Sequence, residues 1–102
     1  MTPSIIYTVE NLSQAREFLL KFSDPIVLIN KRGSTRYYGI LILDYIFKKL
    51  LKEFPQINKI IIHVGDDHAA LFSAIRLGYK NIIYTGESEA AKNFLNNNTG
   101  YN

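Results

Sequence analysis

The chain has 102 residues and no cysteine, 47% of its residues are hydrophobic, and its formal net charge is +3. This length is typical of one compact domain, because about 60–65% of the unfolded surface can be buried at this size. The lack of cysteine excludes a disulfide framework and a thiolate metal site, and a surplus of three charges without a basic stripe argues against nucleic acid as a partner.

The first part of the chain predicts a strand, a helix and a second strand. Residues 4–9 form a short run rich in β-branched residues, as strands do. Apolar residues at helical spacing predict a helix over residues 12–22, with Asn11 as its N-cap. Pro25 ends this helix, and the unbroken apolar run 26–30 predicts a strand that is covered on both faces.

The middle of the chain predicts a polar loop, an unusually apolar helix and a third strand over residues 59–64. The helix is expected over residues 40–54, from Ile40 to Phe54. Its apolar residues occupy more than one face, although a helix on the outside of a small sheet needs only one apolar stripe. We therefore expect a homodimer that buries this helix against a second subunit, and the alternative is a helix buried under the loops.

The last part of the chain predicts a helix over residues 68–77, a strand over residues 81–85 and a helix over residues 88–95. Residues 96–102 are polar and are expected to be a disordered tail. We therefore expect a single domain over residues 1–95.

The alternation of strands and helices predicts an α/β fold with a four-stranded parallel sheet, (βα)4, because strands separated by helices pair through right-handed crossovers. The preferred arrangement is a small open, doubly wound, Rossmann-like sheet with the strand order 2-1-3-4. The alternative is a curved half-barrel with the order 1-2-3-4.

Two observations predict a cytoplasmic protein with no membrane partner. The first nine residues lack the basic segment, apolar run and cleavage site of a secretory signal. The longest apolar stretch, residues 40–43, is interrupted by Asp44 and is too short to cross a bilayer.

Ligands of open parallel sheets bind at the carboxyl ends of the strands, and two loops there have the composition of an anion site. Residues 31–39 combine cations, hydroxyl groups and glycine amides, although the spacings of a P-loop and of a dinucleotide-binding loop are absent. A Thr-Gly pair precedes the last helix. The candidate ligand-binding or anion-binding residues are Arg32, Gly33, Ser34, Thr35, Thr85 and Gly86. The alternative for residues 31–39 is a solvated loop whose tyrosines pack on the sheet end.

Asp66 and Asp67 follow the third strand and have two interpretations. Paired carboxylates at a strand end could bind Mg²⁺ as a metal cofactor or act as acid and base. The competing and favoured interpretation is that one of them caps the next helix, where both carboxylates interact favourably with the helix dipole. His63, inside an apolar strand, is expected to be a hydrogen-bonded core residue. No catalytic residue is assigned, because neither a nucleophile elbow nor a zinc spacing occurs.

Two resemblances arise from these segments. Gly65-Asp66-Asp67 with the later Thr-Gly pair resembles the last conserved motif of haloacid-dehalogenase-like phosphatases, which holds Mg²⁺. The place of that family's nucleophile motif reads Asn-Lys-Arg-Gly-Ser here, without either of the motif's two aspartates, so the resemblance does not imply phosphatase activity.

Residues 26–86 resemble a group of short, uncharacterised bacterial α/β proteins, in the Tyr-x-Gly that precedes the apolar helix and in the run from Gly65 to Gly78. That resemblance implies the fold and the loops only.

Three functions are compatible with these features. The favoured one is a non-catalytic binding or interaction module. The alternative is a small enzyme or phosphate-ligand binder that uses the strand-end loops. The third is a nucleic-acid-associated protein that uses Lys31, Arg32 and Arg36 beside two tyrosines.

Overall fold

Strands and helices alternate along residues 5–99, which are the residues that the computed structural model describes. Asn11 caps the first helix as predicted, since its Oδ1 accepts a hydrogen bond from the Gln14 amide at 2.8 Å. The elements within these residues are β1 (Ile5–Val9), α1 (Leu12–Leu20), β2 (Ile26–Asn30), α2 (Ser34–Tyr37), α3 (Ile40–Glu53), β3 (Ile57–Gly65), α4 (His68–Arg76), β4 (Ile82–Tyr84) and α5 (Glu89–Thr99).

The four strands form one parallel sheet in the order β1-β2-β3-β4, with Leu28 of β2 between Tyr7 of β1 and Ile60 of β3. The predicted α/β fold with an open four-stranded parallel sheet is confirmed, and the sheet is not closed into a barrel. The predicted strand order 2-1-3-4 is wrong, and the observed order is that of the alternative. The reason is that β2 is apolar along its length and takes an interior position, whereas the order 2-1-3-4 would leave it at an edge.

The helices form a single layer on one face of the sheet. Helices α1, α3, α4 and α5 contact one another in that order, and the shortest dimension of the described chain is 19 Å, as expected for two layers. Crossovers of one hand between successive neighbouring strands place every connecting helix on the same side. Leu28 and Ile62 face this layer and are fully buried, whereas Ile6 and Ile83 on the opposite face are 62% and 36% exposed. Within residues 5–99, that opposite face has no helix over it, so the doubly wound arrangement preferred from the sequence, with helices on both faces, is wrong.

Helix α3 is covered by the chain on one side only. Leu43, Phe47 and Leu50 are buried against the sheet and the neighbouring helices. Leu41 and Tyr45 on its outward side are 70% and 58% exposed. The apolar excess predicted for this helix is therefore an exposed apolar surface in the single chain.

Two elements differ from the predicted ones. Helix α2 lies inside the predicted polar loop, and its first two residues, Ser34 and Thr35, are buried. The amides of Tyr38 and Gly39 donate to the Ser34 and Thr35 carbonyls and complete the helical turn. Helix α5 continues to Thr99, past the predicted helix end at residue 95, and the rest of the predicted tail lies outside the described residues. None of the described helices is long and apolar enough to cross a membrane.

Candidate functional site

Three loops converge at the carboxyl edge of the sheet and enclose a cleft of about 410 Å³. Each loop follows a different strand, and the convergence is what parallel strands predict. The loop after β2 contributes Arg32, Gly33, Thr35 and Arg36, the end of β3 contributes Val64, Gly65 and Asp66, and the end of β4 contributes Thr85. The lining is therefore rich in hydrogen-bond donors, with two guanidinium groups and two hydroxyl groups.

A cluster of hydrogen bonds around Asn30 fixes the loop after β2. The Asn30 side chain is 2% exposed and pairs with the backbone of His63: its Oδ1 accepts from the His63 amide at 2.6 Å, and its Nδ2 donates to the His63 carbonyl at 2.9 Å. The same Nδ2 donates to Oγ of Ser34 at 2.9 Å, and that hydroxyl donates to the Lys31 carbonyl at 2.6 Å. These bonds tie the end of β2 to β3 and to α2, so the loop has a defined shape before any ligand binds.

The sharp turn after β3 positions the other wall of the cleft. Gly65 has φ +60°, in the left-handed region that favours glycine, and its carbonyl accepts a hydrogen bond from the Thr85 amide at 2.8 Å. The Gly65 amide donates to Nδ1 of His63 at 3.1 Å, so the neutral imidazole carries its proton on Nε2. The turn therefore places Thr85 and Gly65 side by side on the cleft.

Some charged groups around the cleft have an ion-pair partner, and one has none among the described residues. Arg36 donates to Asp66 at 2.7 Å, and Lys31 lies 3.0 Å from Glu10, whose hydrogen bond raises the pKa of the lysine. Arg32 makes no ion pair with any residue between 5 and 99. Burial, and secondarily the charge of Arg32, lower the pKa of His63 below its ordinary value. The cleft therefore has an uncompensated positive charge at Arg32.

The two carboxylates after β3 have separate partners. Asp67 caps α4, accepting from the Ala70 amide at 3.1 Å, as the capping interpretation expected. Asp66 is paired with Arg36. No group of three or more His, Cys, Asp or Glu side chains within residues 5–99 is arranged to hold a metal ion. A magnesium role for Asp66 and Asp67 stays a prediction.

The structure brings together most of the predicted anion-binding residues. Arg32, Gly33, Thr35 and Thr85 line the cleft. The hydroxyl of Ser34 instead belongs to the Asn30 cluster. Gly86 lies against the ring of Tyr84, where a Cβ atom would overlap that ring.

The list of candidate residues omitted Arg36 and Gly65, although both lie in segments that the sequence singled out, and sequence reasoning missed Asn30 as the residue that organises the loop. The signal for Asn30 was available, because it is a polar residue that closes an otherwise apolar strand. The signal for Gly65 was its place at the turn between strand and helix.

A second, smaller pocket of about 170 Å³ adjoins the cleft and shares Arg32 with it. Lys31 and Glu10 contribute their ion pair to this pocket. Its remaining walls are Ser34, Tyr37 and Tyr38. The residues from Lys31 to Tyr38 are thus divided between the cleft and this second pocket, with Arg32 in both.

The fold and the cleft define a small two-layer α/β protein with a donor-rich cleft at the carboxyl edge of its sheet. The chain is 50% identical over 93 residues to the uncharacterized protein RP547 of Rickettsia prowazekii (strain Madrid E), and the match covers 90% of this chain and 88% of that protein. The chain therefore belongs to the same family as that protein, and the predicted membership in a group of uncharacterised bacterial proteins is confirmed. No family model and no solved structure matches the chain.

Proposed function

We propose that this protein is a binding module that holds a small anionic ligand, a phosphate group above all, in the cleft at the carboxyl edge of its sheet. The observation that supports the proposal is Arg32, a cation without an ion-pair partner among the described residues, beside the lining hydroxyl residues Thr35 and Thr85. A guanidinium group with neighbouring hydroxyl and amide donors matches the geometry of phosphate oxygens.

The charge balance of the cleft favours an anion of moderate affinity. Arg36 is already paired with Asp66, so it contributes a guanidinium whose charge is partly offset. Asp66 itself opposes an anion. We therefore expect a dissociation constant in the millimolar-to-micromolar range, which corresponds to about 4–8 kcal/mol.

Calorimetric titration of the protein with inorganic phosphate tests the proposal. We expect saturable binding that Arg32→Ala weakens by about tenfold or more, because a charged hydrogen bond to phosphate is lost. Arg76→Ala is the matched control, since Arg76 is an exposed arginine in the last turn of α4, away from the loops that line the cleft. Equal affinity in the wild type and both variants, or no saturable binding to the wild type, overturns the proposal.

A second proposal concerns self-association through α3. Its outward side exposes Leu41 and Ile42 in the first turn and Tyr45 in the next, and contiguous exposed apolar side chains of this kind mark interaction surfaces. A second copy of the chain is the simplest partner, because a twofold dimer pairs the same surface with itself. We propose a homodimer in which two α3 helices pack together.

Sedimentation velocity at micromolar concentration tests the homodimer. We expect a dimer of the 11.7 kDa chain that Leu41→Glu converts to a monomer. Ile83→Glu is the control, since Ile83 lies on the open face of the sheet and is also exposed. A wild-type monomer, or a dimer broken by Ile83→Glu and not by Leu41→Glu, contradicts an α3 interface.

A further inference from the structure

The cleft and the second pocket are two adjoining and chemically different halves of one candidate site. Arg32 lines both halves. Helix α2 separates them, because Thr35 and Arg36 face the cleft whereas Ser34 and Tyr37 face the second pocket. A ligand held by Arg32 could therefore extend from one half into the other.

The second pocket is unsuited to a second anion. Among the described residues, Arg32 is the unpaired cation of both halves, so an anion that binds it in the cleft leaves the second pocket only Lys31. Lys31 is already paired with Glu10 at 3.0 Å, and the Glu10 carboxylate would repel a further negative charge. Carboxylate oxygens accept hydrogen bonds from N–H and O–H groups, which a neutral polar ligand supplies. The second pocket thus favours an uncharged group that carries hydrogen-bond donors.

One exposed tyrosine ring favours a planar group in this half. Tyr37 is 89% exposed, and its ring lies 6.3 Å from that of Tyr38 at an interplanar angle of 42°. A flat group between two rings needs parallel faces about 7 Å apart, since carbon atoms in contact are about 3.5 Å apart, so this pair does not sandwich a ligand. Tyr37 instead has a ring face free for stacking, because the residue is so exposed.

From these two halves we infer that the ligand is a nucleoside monophosphate, whose phosphate lies in the cleft and whose base stacks on Tyr37. This inference rests on the proposed anion-binding function and specifies the class of ligand. Arg32 lies where the phosphate and the nucleoside join, and Glu10 accepts a hydrogen bond from the sugar or the base.

Calorimetric titrations with AMP, adenosine and inorganic phosphate test the inference. We expect AMP to bind about 5- to 100-fold more tightly than phosphate, because base stacking on an aromatic side chain adds that much affinity. Tyr37→Ala should reduce AMP affinity to the level of phosphate and leave phosphate affinity unchanged. Tyr37→Phe should retain tight AMP binding, and Arg32→Ala should weaken both AMP and phosphate.

Tyr45→Ala is the matched control, because Tyr45 is an exposed tyrosine on α3 that lines neither half of the site. If AMP binds no more tightly than phosphate, or if Tyr37→Ala and Tyr45→Ala have equal effects, the nucleotide inference is wrong and the anion site stands. If neither AMP nor phosphate binds the wild type, both the inference and the proposed function are wrong.

Discussion

At the scale of single residues, one buried amide organises the candidate site. Asn30 supplies an acceptor and a donor to the backbone of His63 at the point where the pairing of β2 with β3 ends. Its Nδ2 also reaches Ser34, so the first turn of α2 is fixed to the sheet. A side-chain amide suits this place because its donor and its acceptor are separate atoms, whereas a carboxylate has no donor and a hydroxyl has only one polar atom.

Asn30→Asp is therefore expected to lower the free energy of unfolding by about 3–5 kcal/mol, since a buried carboxylate would face the His63 carbonyl and Ser34 hydroxyl oxygens without a donor. Urea unfolding measures the loss. Asn58→Asp makes the same change at an exposed position of β3 and serves as the control. Similar losses in the two variants would show that the Asn30 cluster does not hold the loop.

His63 makes stability depend on pH. Burial and the charge of Arg32 lower the pKa of this histidine in the folded protein, while the unfolded chain has the ordinary value of about 6.5. As pH falls below about 6.5 the unfolded state binds the proton first. The contribution of His63 to stability is therefore complete above that pH and is lost as the pH falls through the lower folded value.

We expect the free energy of unfolding in urea to decrease between about pH 7.5 and pH 5, and His63→Asn to show a smaller decrease. Asparagine at this position keeps an acceptor for the Gly65 amide, so the turn is preserved. His68→Asn, at an exposed position, is the control and should keep the wild-type decrease. The same slope in all three proteins would exclude His63 as the origin.

At the scale of elements, a polar contact holds α3 to the end of α4. The Tyr79 hydroxyl donates to Oδ1 of Asp44 at 2.7 Å, and Lys48 lies 2.9 Å from the other carboxylate oxygen. Burial and this hydrogen bond raise the pKa of Tyr79 far above its ordinary value, so the phenol stays a neutral donor. Asp44 is buried beside the apolar residues Leu43 and Phe47 of α3, and the tyrosine supplies the partner that burial requires.

Tyr79→Phe should lower the free energy of unfolding by about 1–3 kcal/mol, because it leaves a buried carboxylate oxygen without its donor. Chemical denaturation with fluorescence or circular dichroism measures the change. Tyr45→Phe, at the exposed position on the same helix as Asp44, should change stability by less than about 0.5 kcal/mol. A difference between the two variants smaller than the error would contradict a stabilising role for the Tyr79–Asp44 contact.

At the scale of the whole molecule, the two faces of the sheet differ. One face packs against the helix layer, and the other carries apolar side chains with no helix over them within residues 5–99. Two successive isoleucines of β3 lie on opposite faces of the sheet. Ile62 is fully buried under the helix layer, and Ile61 on the other face is half-buried. The sheet therefore contributes to the core through only one of its faces.

Ile62→Ala is expected to cost about 2–5 kcal/mol of unfolding free energy, since it removes buried methyl groups and leaves a cavity. Ile61→Ala should cost about half of that or less, because its side chain already contacts water. Equilibrium unfolding in urea compares the pair directly. Equal losses would mean that a second layer covers the outer face of the sheet in solution.

The amino-acid sequence by itself determined the α/β class, the four strands and the loops that carry the anion-binding candidates. These follow from local patterns: β-branched runs, helical spacing, and caps such as Asn11 and Asp67 act over a few residues. Only the tertiary structure decided the strand order, because local patterns do not specify which strands become neighbours in the sheet. The partners of Asn30 and Arg36 were likewise decided by the fold, since they lie 33 and 30 residues away in the chain and meet only where parallel strands end together.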